Sequence, residues 1–359
     1  MYAEKQTYVR EVTYEDETIQ LITTDIGAKK AVLYKTLTAR VEPGDPVIVN
    51  ITATKLKLGT GGWDIVKSSA RLEAEQTHRE DGHIMKLRYT PNQHSVLAIE
   101  AQESPYHSLF KEKFSFDKEP VLLAELHSMV PLAYYVGKVL KPDFTCCVII
   151  DDQAALPLMV SEQMRMLKDD PAFKTITIGQ AFGGTFEAVT MHSALQFASQ
   201  ELKPDLIMIS VGPGVVGTGT MYGFTGMTLA SWANIVGAFK GTPVWIPRLS
   251  FSEKRERHVG LSHHTLTPLF DFTYTRCLLP FPFLEDAQKE YISRQLNAVK
   301  SNDIIHELRW SERDNASILV EKALQLSPLP IRTMGRGYAD DATFFLAVAE
   351  AVRVCLEDV

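Results

Sequence analysis

"PDLIMISVGPGVVGTGTMYG", from Pro204 to Gly223, is an apolar run that empties into a loop carrying five glycines in its last fourteen residues. An apolar stretch without polar alternation reads as a strand buried on both faces, as in parallel sheets. A loop with so few side chains either turns where other residues cannot, or lets something approach the backbone closely. The same grammar recurs along the second part of the chain. "CCVII" precedes "ALPLMVSEQMRMLKDD", "KTITIG" precedes "FEAVTMHSALQFASQELK", and the glycine loop leads into "MTLASWANIVGAFKG". "PVWIPRL" precedes a His-rich loop and "HTLTPLFDFTYT", "RCLLPFPF" precedes "EDAQKEYISRQLNAV", and "DDATFFLAVAEAVRVCLE" reads as a last helix. Repeated strand–helix alternation predicts a doubly wound, mostly parallel, Rossmann-like α/β domain over residues 116–359.

Residues 1–115 follow another rule. "YVREVTY", "TIQLITT", "AKKAVLYK", "PVIVNITATKL", "HIMKLRYT" and "SVLAIEAQ" alternate with period two, and turn signals such as "EPGDP" and "GTGG" separate them. Short alternating strands with Gly/Pro punctuation predict an antiparallel β-barrel or sandwich. "LGTGGW", Leu58 to Trp63, reads as a hairpin or bulge within it. The charged stretch "FKEKFSFDKEP" suits a linker between the two domains.

At 359 residues, two domains are the natural expectation, and 45% hydrophobic with 23% charged residues is ordinary globular composition. A net charge of −7 argues against a nucleic-acid partner, which needs a concentrated basic surface. The N-terminus is charged from its fourth residue, unlike a signal peptide, and no apolar run approaches the roughly 20 residues of a membrane span. A cytoplasmic location with no membrane partner is expected. Cys146, Cys147, Cys277 and Cys355 have no C-x-x-C spacing and read as small apolar packing residues.

"GHIMKLRYTP", "DDQAALPL", "VGPGVVGTGT", "RERHVGLSHHT" and "TMGRGYADDATFF" resemble the phrases of an uncharacterised bacterial family, a domain of unknown function of about this length. The resemblance covers nearly the whole chain. It implies no activity, cofactor or catalytic residue.

Gly212, Gly214 and Gly217 match G-x-G-x-x-G after a strand, the setting of a dinucleotide fingerprint. Pro213 removes a backbone donor, the helix starts late, near Met227, and the next strand ends in Arg248 where a ribose-binding acid is expected. A P-loop fails because Thr218 stands in place of its lysine. Two readings remain. One is a tight loop with φ > 0 glycines; the other is a nest of amides and Thr218 and Thr220 hydroxyls facing an anion, with Gly217 and Gly219 leaving the space.

Ligands of open parallel sheets bind beyond the strand C-termini, near the point where strand order reverses. Asp151 and Asp152, Gly183, Gly184 and Glu187, the glycine loop, and Arg248 with "SEKRERHVGLSHHT" all follow strands. His258, His263 and His264 lie near Arg255 and Arg257 but show no H-x-x-x-H or H-x-H spacing, so no metal site is assigned from sequence. They suit substrate recognition or capping of a helix from Thr265. Arg336 in "GRGYADD" suits a phosphate, and Asp340 or Asp341 an N-cap. No serine-hydrolase elbow occurs.

The expectation is a protein that binds a small anionic molecule, a nucleotide or phosphorylated metabolite, through Gly212, Gly214, Gly217, Thr218, Gly219, Thr220, Arg248 and Arg336. As an enzyme it would be a hydrolase or transferase rather than an oxidoreductase, with Asp152, His263 and His264 as catalytic candidates; no cofactor is identified. The alternative is a non-catalytic sensor or scaffold whose β-domain mediates oligomerisation or docking. Apolar helix faces left over by the sheet would suit a homodimer.

Overall fold

The computed structural model describes residues 1–58, 62–70, 82–151, 153, 157–299 and 306–357. The hairpin or bulge expected at Leu58 to Trp63, and Asp152, fall on positions outside them in part or whole. The chain forms two compact units, Met1–Leu97 with Pro157–Arg165, and Ala98–Leu156 with Met166–Val359. Residues 98–115, which read as the end of the β-rich half, lie in the second unit.

In the first unit, β1 (Glu4–Tyr8), β2 (Glu11–Glu15), β3 (Ile19–Thr23), β4 (Lys30–Tyr34), β5 (Pro46–Asn50) and β6 (Asp64–Ser69) form a sheet of order β1-β5-β6-β4-β3-β2. All its pairs are antiparallel except β4 with β6. β1 pairs with β5 and β2 with β3, yet only Val9 and Arg10 separate β1 from β2. One nearly continuous stretch therefore supplies both edge strands of the sheet and curls it toward a barrel. Alternation supplies the filling. Val47 and Val49 on β5, Ile22 on β3, Leu33 on β4 and Val66 on β6 meet in one apolar core. After β5 comes α1 (Thr52–Lys55), and a short hairpin of β7 (Ile84–Lys86) and β8 (His94–Val96) follows.

The second unit is built on β9 (Pro120–Ala124), β10 (Cys146–Asp151), β11 (Phe173–Thr177), β12 (Phe186–Glu187), β13 (Leu206–Val211), β14 (Thr242–Trp245), β17 (Leu278–Phe281) and β18 (Glu307–Trp310). A small antiparallel ribbon, β15 (Leu249–Ser250) with β16 (Gly260–Leu261), stands between β14 and β17 in the chain. The sheet has the order β12-β11-β10-β13-β9-β14-β17-β18 and every pair is parallel. Every residue of β10 and β13 is buried, as strands covered on both faces must be.

The helices are α2 (Met129–Leu140), α3 (Glu162–Leu167), α4 (Met191–Phe197), α5 (Thr228–Ala238), α6 (His263–Phe272), α7 (Asp286–Ala298), α8 (Ala316–Leu326) and α9 (Ala342–Glu357). α2, α8 and α9 pack together and α9 lies on β9, β14 and β17, while α4 and α5 pack together against β9, β10 and β14. The chain leaves β9 toward β10 but leaves β13 toward β14, in opposite directions along the sheet. Right-handed crossovers running in opposite directions put their helices on opposite faces. This is the doubly wound, Rossmann-like arrangement expected from the apolar runs. The direction reverses between the neighbouring strands β13 and β9, and beyond their C-termini such a sheet leaves a crevice.

All four cysteines are free and buried. Among the described residues no helix is long and apolar enough to cross a membrane.

α2 illustrates how closely the layers approach. A Cβ on Gly137 would sit 2.3 Å from the ring of Phe144, which is itself fully buried. Alanine gains about 1 kcal/mol of helix propensity over glycine, but overpacking a closed site costs about 1–3 kcal/mol. Gly137→Ala is therefore expected to destabilise the second unit by about 1 kcal/mol or more, read from the midpoint of urea unfolding. An unchanged or raised midpoint would mean that α2 and Phe144 are not in this contact.

Candidate functional site

Three adjacent strands supply the residues at the crevice. β9, flanked by β13 and β14, ends at Ala124, so Glu125 is the first residue beyond it. β13 ends at Val211 and opens into the glycine loop, and β14 ends at Trp245, three residues before Arg248. Arg248 Nη1 lies 2.7 Å from Glu125 Oε1, and His264 Nδ1 lies 2.7 Å from the same oxygen. Glu125 is 2% exposed and Arg248 is 8% exposed, so this pair is shielded from water. Burial alone would raise the Glu125 pKa. The charge of Arg248 and the hydrogen bond from His264 outweigh it and hold the carboxyl at about 2. Glu125 Oε2 is buried without a hydrogen-bond partner among the described residues.

The ribbon β15–β16 explains how His264 reaches a residue 139 positions earlier. It returns the chain so that Ser262 N donates to the Arg248 carbonyl and Arg248 N donates to Thr265 Oγ1. Gly260 makes the return possible. Its φ is +69°, and a Cβ there would lie 2.5 Å from Gln295 and 2.7 Å from Tyr291 on α7. Ser262 then caps α6 by accepting from His264 N, at 3.2 Å. The helix begins at His263, two residues before the expected Thr265.

His258, His263 and His264 form one cluster. Their ring centroids are 4.7 Å apart for His258 and His263, 4.8 Å for His258 and His264, and 4.3 Å for His263 and His264. Each Nδ1 is engaged: His258 with Ser262 Oγ at 2.7 Å, His263 with the Arg257 carbonyl at 3.2 Å, His264 with Glu125. Burial, and then the charge of Arg248, lowers the pKa of His258 to about 3. Burial, and then His264, lowers that of His263 to about 4. Both are neutral imidazoles near pH 7.

The glycine loop closes mostly on itself. Gly214 and Gly219 have φ of +116° and +75°, which favour glycine. Thr218 N donates to the Gly223 carbonyl at 2.8 Å, Thr218 Oγ1 to the same oxygen at 3.0 Å, and Gly223 N to Thr220 Oγ1 at 3.1 Å. The two threonine hydroxyls also lie 2.9 Å apart. Gly212 is buried at its start, while residues from Gly214 to Gly223 are exposed. The loop ends on Phe224, which stacks on His264 at 3.9 Å with the rings nearly parallel, and so fixes that imidazole. Over the other side, Arg257 Nη1 lies 3.3 Å from where a Cβ of Gly219 would be. The Arg257 guanidinium makes no ion pair with the described residues.

Arg336 lies in a small cleft lined also by Arg248, Ser250, Glu253, His258 and Asp341. Its Nε donates to Asp341 Oδ2 at 3.1 Å, and Ser250 Oγ donates to the same buried carboxylate. Asp341 stands immediately before α9. Two other strand-end acids serve the fold. Asp151 accepts from the Trp232 indole of α5 at 2.6 Å, and Glu187 accepts from Thr177 Oγ1 and Gly183 N.

Of the residues singled out from sequence, Arg248, His263, His264 and the glycine loop are brought together, and Arg336 joins Arg248 and His258 at one cleft. Glu125 went unread, as did the partnership of Ser262 with two histidines. The one available signal was an acid directly after the apolar run "VLLAE".

A family model described as "Protein of unknown function (DUF3866)" matches residues 30–352. No curated protein matches the chain.

Glu125 supplies the charge that balances Arg248. Removing one partner of a buried pair costs about 3–5 kcal/mol, because the other charge is left in a dry site. Glu125→Gln is expected to lose that much stability near pH 7, and the double change with Arg248→Met less than the sum of the two singles. The carboxyl pKa is lower in the folded chain than its ordinary 4.5. The advantage of the native residue is thus full above pH 4.5 and fades as pH falls toward about 2. Denaturation of the variants across pH checks both; additive losses would dissolve the pair.

Proposed function

The chain belongs to the DUF3866 family, so its role must be read from its own side chains, and we propose that it binds a small anionic molecule in the crevice beyond β13, β9 and β14. A nucleotide or phosphorylated metabolite is the favoured class, and hydrolysis or group transfer the favoured chemistry. The observation that carries this is the guanidinium of Arg257 over Gly219, which makes no ion pair with the described residues, on a residue whose carbonyl holds His263 Nδ1. An anion placed there meets a cation that no acid of the described residues already neutralises. Arg248 adds to it. Its Nη1 is committed to Glu125 and His264, whereas its Nε and Nη2 make no hydrogen bond within the described residues. Arg336 on the shared cleft supplies a third guanidinium, though Asp341 and Glu253 moderate its charge.

The loop enters this reading through its backbone. Its threonine hydroxyls are committed to loop hydrogen bonds, so its role is to hold Phe224 on His264 and to let Arg257 lie close at Gly219. The fork-shaped donors of arginine match phosphate oxygens two at a time, which suits this class of ligand.

Thermal unfolding in chelator-treated buffer with inorganic phosphate, nucleotides and sugar phosphates tests the proposal. A ligand at a hundred times its dissociation constant adds about 2.7 kcal/mol, a rise of several degrees. Arg257→Gln leaves the fold intact and is expected to weaken binding about tenfold or more, the worth of a hydrogen bond to a charged group. No shift with any anion, or the same affinity in Arg257→Gln, would refute the site. Turnover of a stabilising ligand would establish an enzyme; stabilisation without turnover would make the protein a sensor.

A further inference from the structure

We propose that His258, His263 and His264 hold one divalent transition-metal ion of the zinc class, with the fourth position open toward the crevice. One ring nitrogen of each residue lies within 4.8 Å of the other two. Tetrahedral coordination at about 2.0–2.1 Å per bond sets ligand nitrogens roughly 3.3 Å apart, so modest side-chain rotations close the site.

The stronger evidence is the partner that stands behind each ring. A backbone carbonyl and an ionised carboxylate only accept hydrogen bonds. His263 therefore carries its proton on Nδ1 toward the Arg257 carbonyl, while His264 Nδ1 stands between an acceptor, Glu125 Oε1 at 2.7 Å, and a donor, Arg248 Nη1 at 2.8 Å. The His263 ring is left with a bare lone pair on Nε2, the form that binds a metal. Ser262 Oγ accepts from His264 N and sits 2.7 Å from His258 Nδ1, so it is able to take a proton from that ring too. Metal-ligating histidines are commonly oriented in this way, by a carboxylate, a carbonyl or a hydroxyl on the far nitrogen. Here each ring has one. Three histidines with no separate role as core filler, each tied back at the same atom, are more than local packing requires. His263 and His264 are also only part-buried, and Phe224 clamps the latter in place.

The surroundings define what the fourth ligand must be. Arg248 and the N-terminus of α6 both bring positive charge, which opposes a cation. Glu125 offsets part of it, and an anionic fourth ligand, hydroxide or an oxygen of a bound phosphate, offsets the rest. Glu125 Oε2 has no donor among the described residues; a water or hydroxide on the metal is one within the chemistry of the site. The inference shares its location with the anion reading but not its evidence, and the two fail separately.

The test uses the full chain after chelator dialysis, with Co²⁺ and Zn²⁺ as probes. Titration followed by calorimetry and by the visible d–d bands of Co²⁺ is expected to give one ion per chain and tetrahedral band intensity. His263→Gln, at a part-buried position, is expected to weaken binding at least 100-fold. Ser262→Ala, which removes the oxygen behind His258 Nδ1 together with the cap of α6, is expected to weaken it 10–100-fold. Circular dichroism checks that each variant is folded. If folded native chain binds neither ion, or binds it equally well in His263→Gln, the metal is refuted. Loss of the phosphate-induced thermal shift in His263→Gln, with no metal bound by the native chain, would make the imidazoles anion donors and overturn this inference while leaving the anion site standing.

Discussion

A carboxylate sealed from water against a guanidinium is the constraint on which the second unit's crevice depends. Glu125 directly follows β9, and a lone buried carboxylate there would be too expensive to keep ionised. Arg248 and His264 make it tolerable, and each has to be delivered by a different part of the chain. Arg248 comes from the far side of β14. His264 comes from the start of α6, and only because the ribbon β15–β16 turns the chain back. Such a pair contributes little to net stability compared with apolar residues of the same volume. Its value lies in orientation: it fixes one imidazole and sets the electrostatic character of the crevice floor.

The histidine cluster inherits its geometry from that pair. His264 is held by Glu125 from behind and by Phe224 from its face. His263, its neighbour on the same first turn, faces His258 because the Arg257 carbonyl holds its Nδ1. Adjacent helical residues ordinarily diverge by about 100°, as 3.6 residues per turn requires. They share a site here because the third ring, brought by the turn at residues 256–258, sits between the directions in which they point. Electrostatics and packing thus meet at one place. Burial, with the charge of Arg248 near His258 and His264 near His263, keeps both imidazoles neutral near pH 7.

The glycine loop is best understood as a support. It leaves no room for a side chain at Gly223, returns its hydroxyls to its own backbone, and ends with an aromatic ring laid flat on an imidazole. Glycine at position 219 also keeps the approach of Arg257 open. A loop that merely crossed a neighbouring segment would need the same positive φ values; the ring at its end is what connects it to chemistry.

Much of the fold was legible in the chain itself, because burial on one face or two leaves different periods. Apolar runs such as "CCVII" and "DLIMIS" announced a parallel sheet, and alternation in "PVIVN" announced a half-buried barrel strand. Strand ends followed by arginine, histidine and glycine placed chemistry on one rim. What local pattern does not encode is which rim residues meet. Glu125 carries no signal apart from following an apolar run, and Asp151 and Glu187 carry the same signal while serving the fold. The strand order decided among them: only β13, β9 and β14 are neighbours at the reversal, and order in a sheet is set by crossovers between distant segments. Sequence determined which elements form and which faces they bury. Tertiary structure alone decided that one acid joins the guanidinium and the imidazoles within a few ångströms, because the contacts of Glu125 with Arg248 and His264 are made across more than a hundred residues and depend on packing that no local period records.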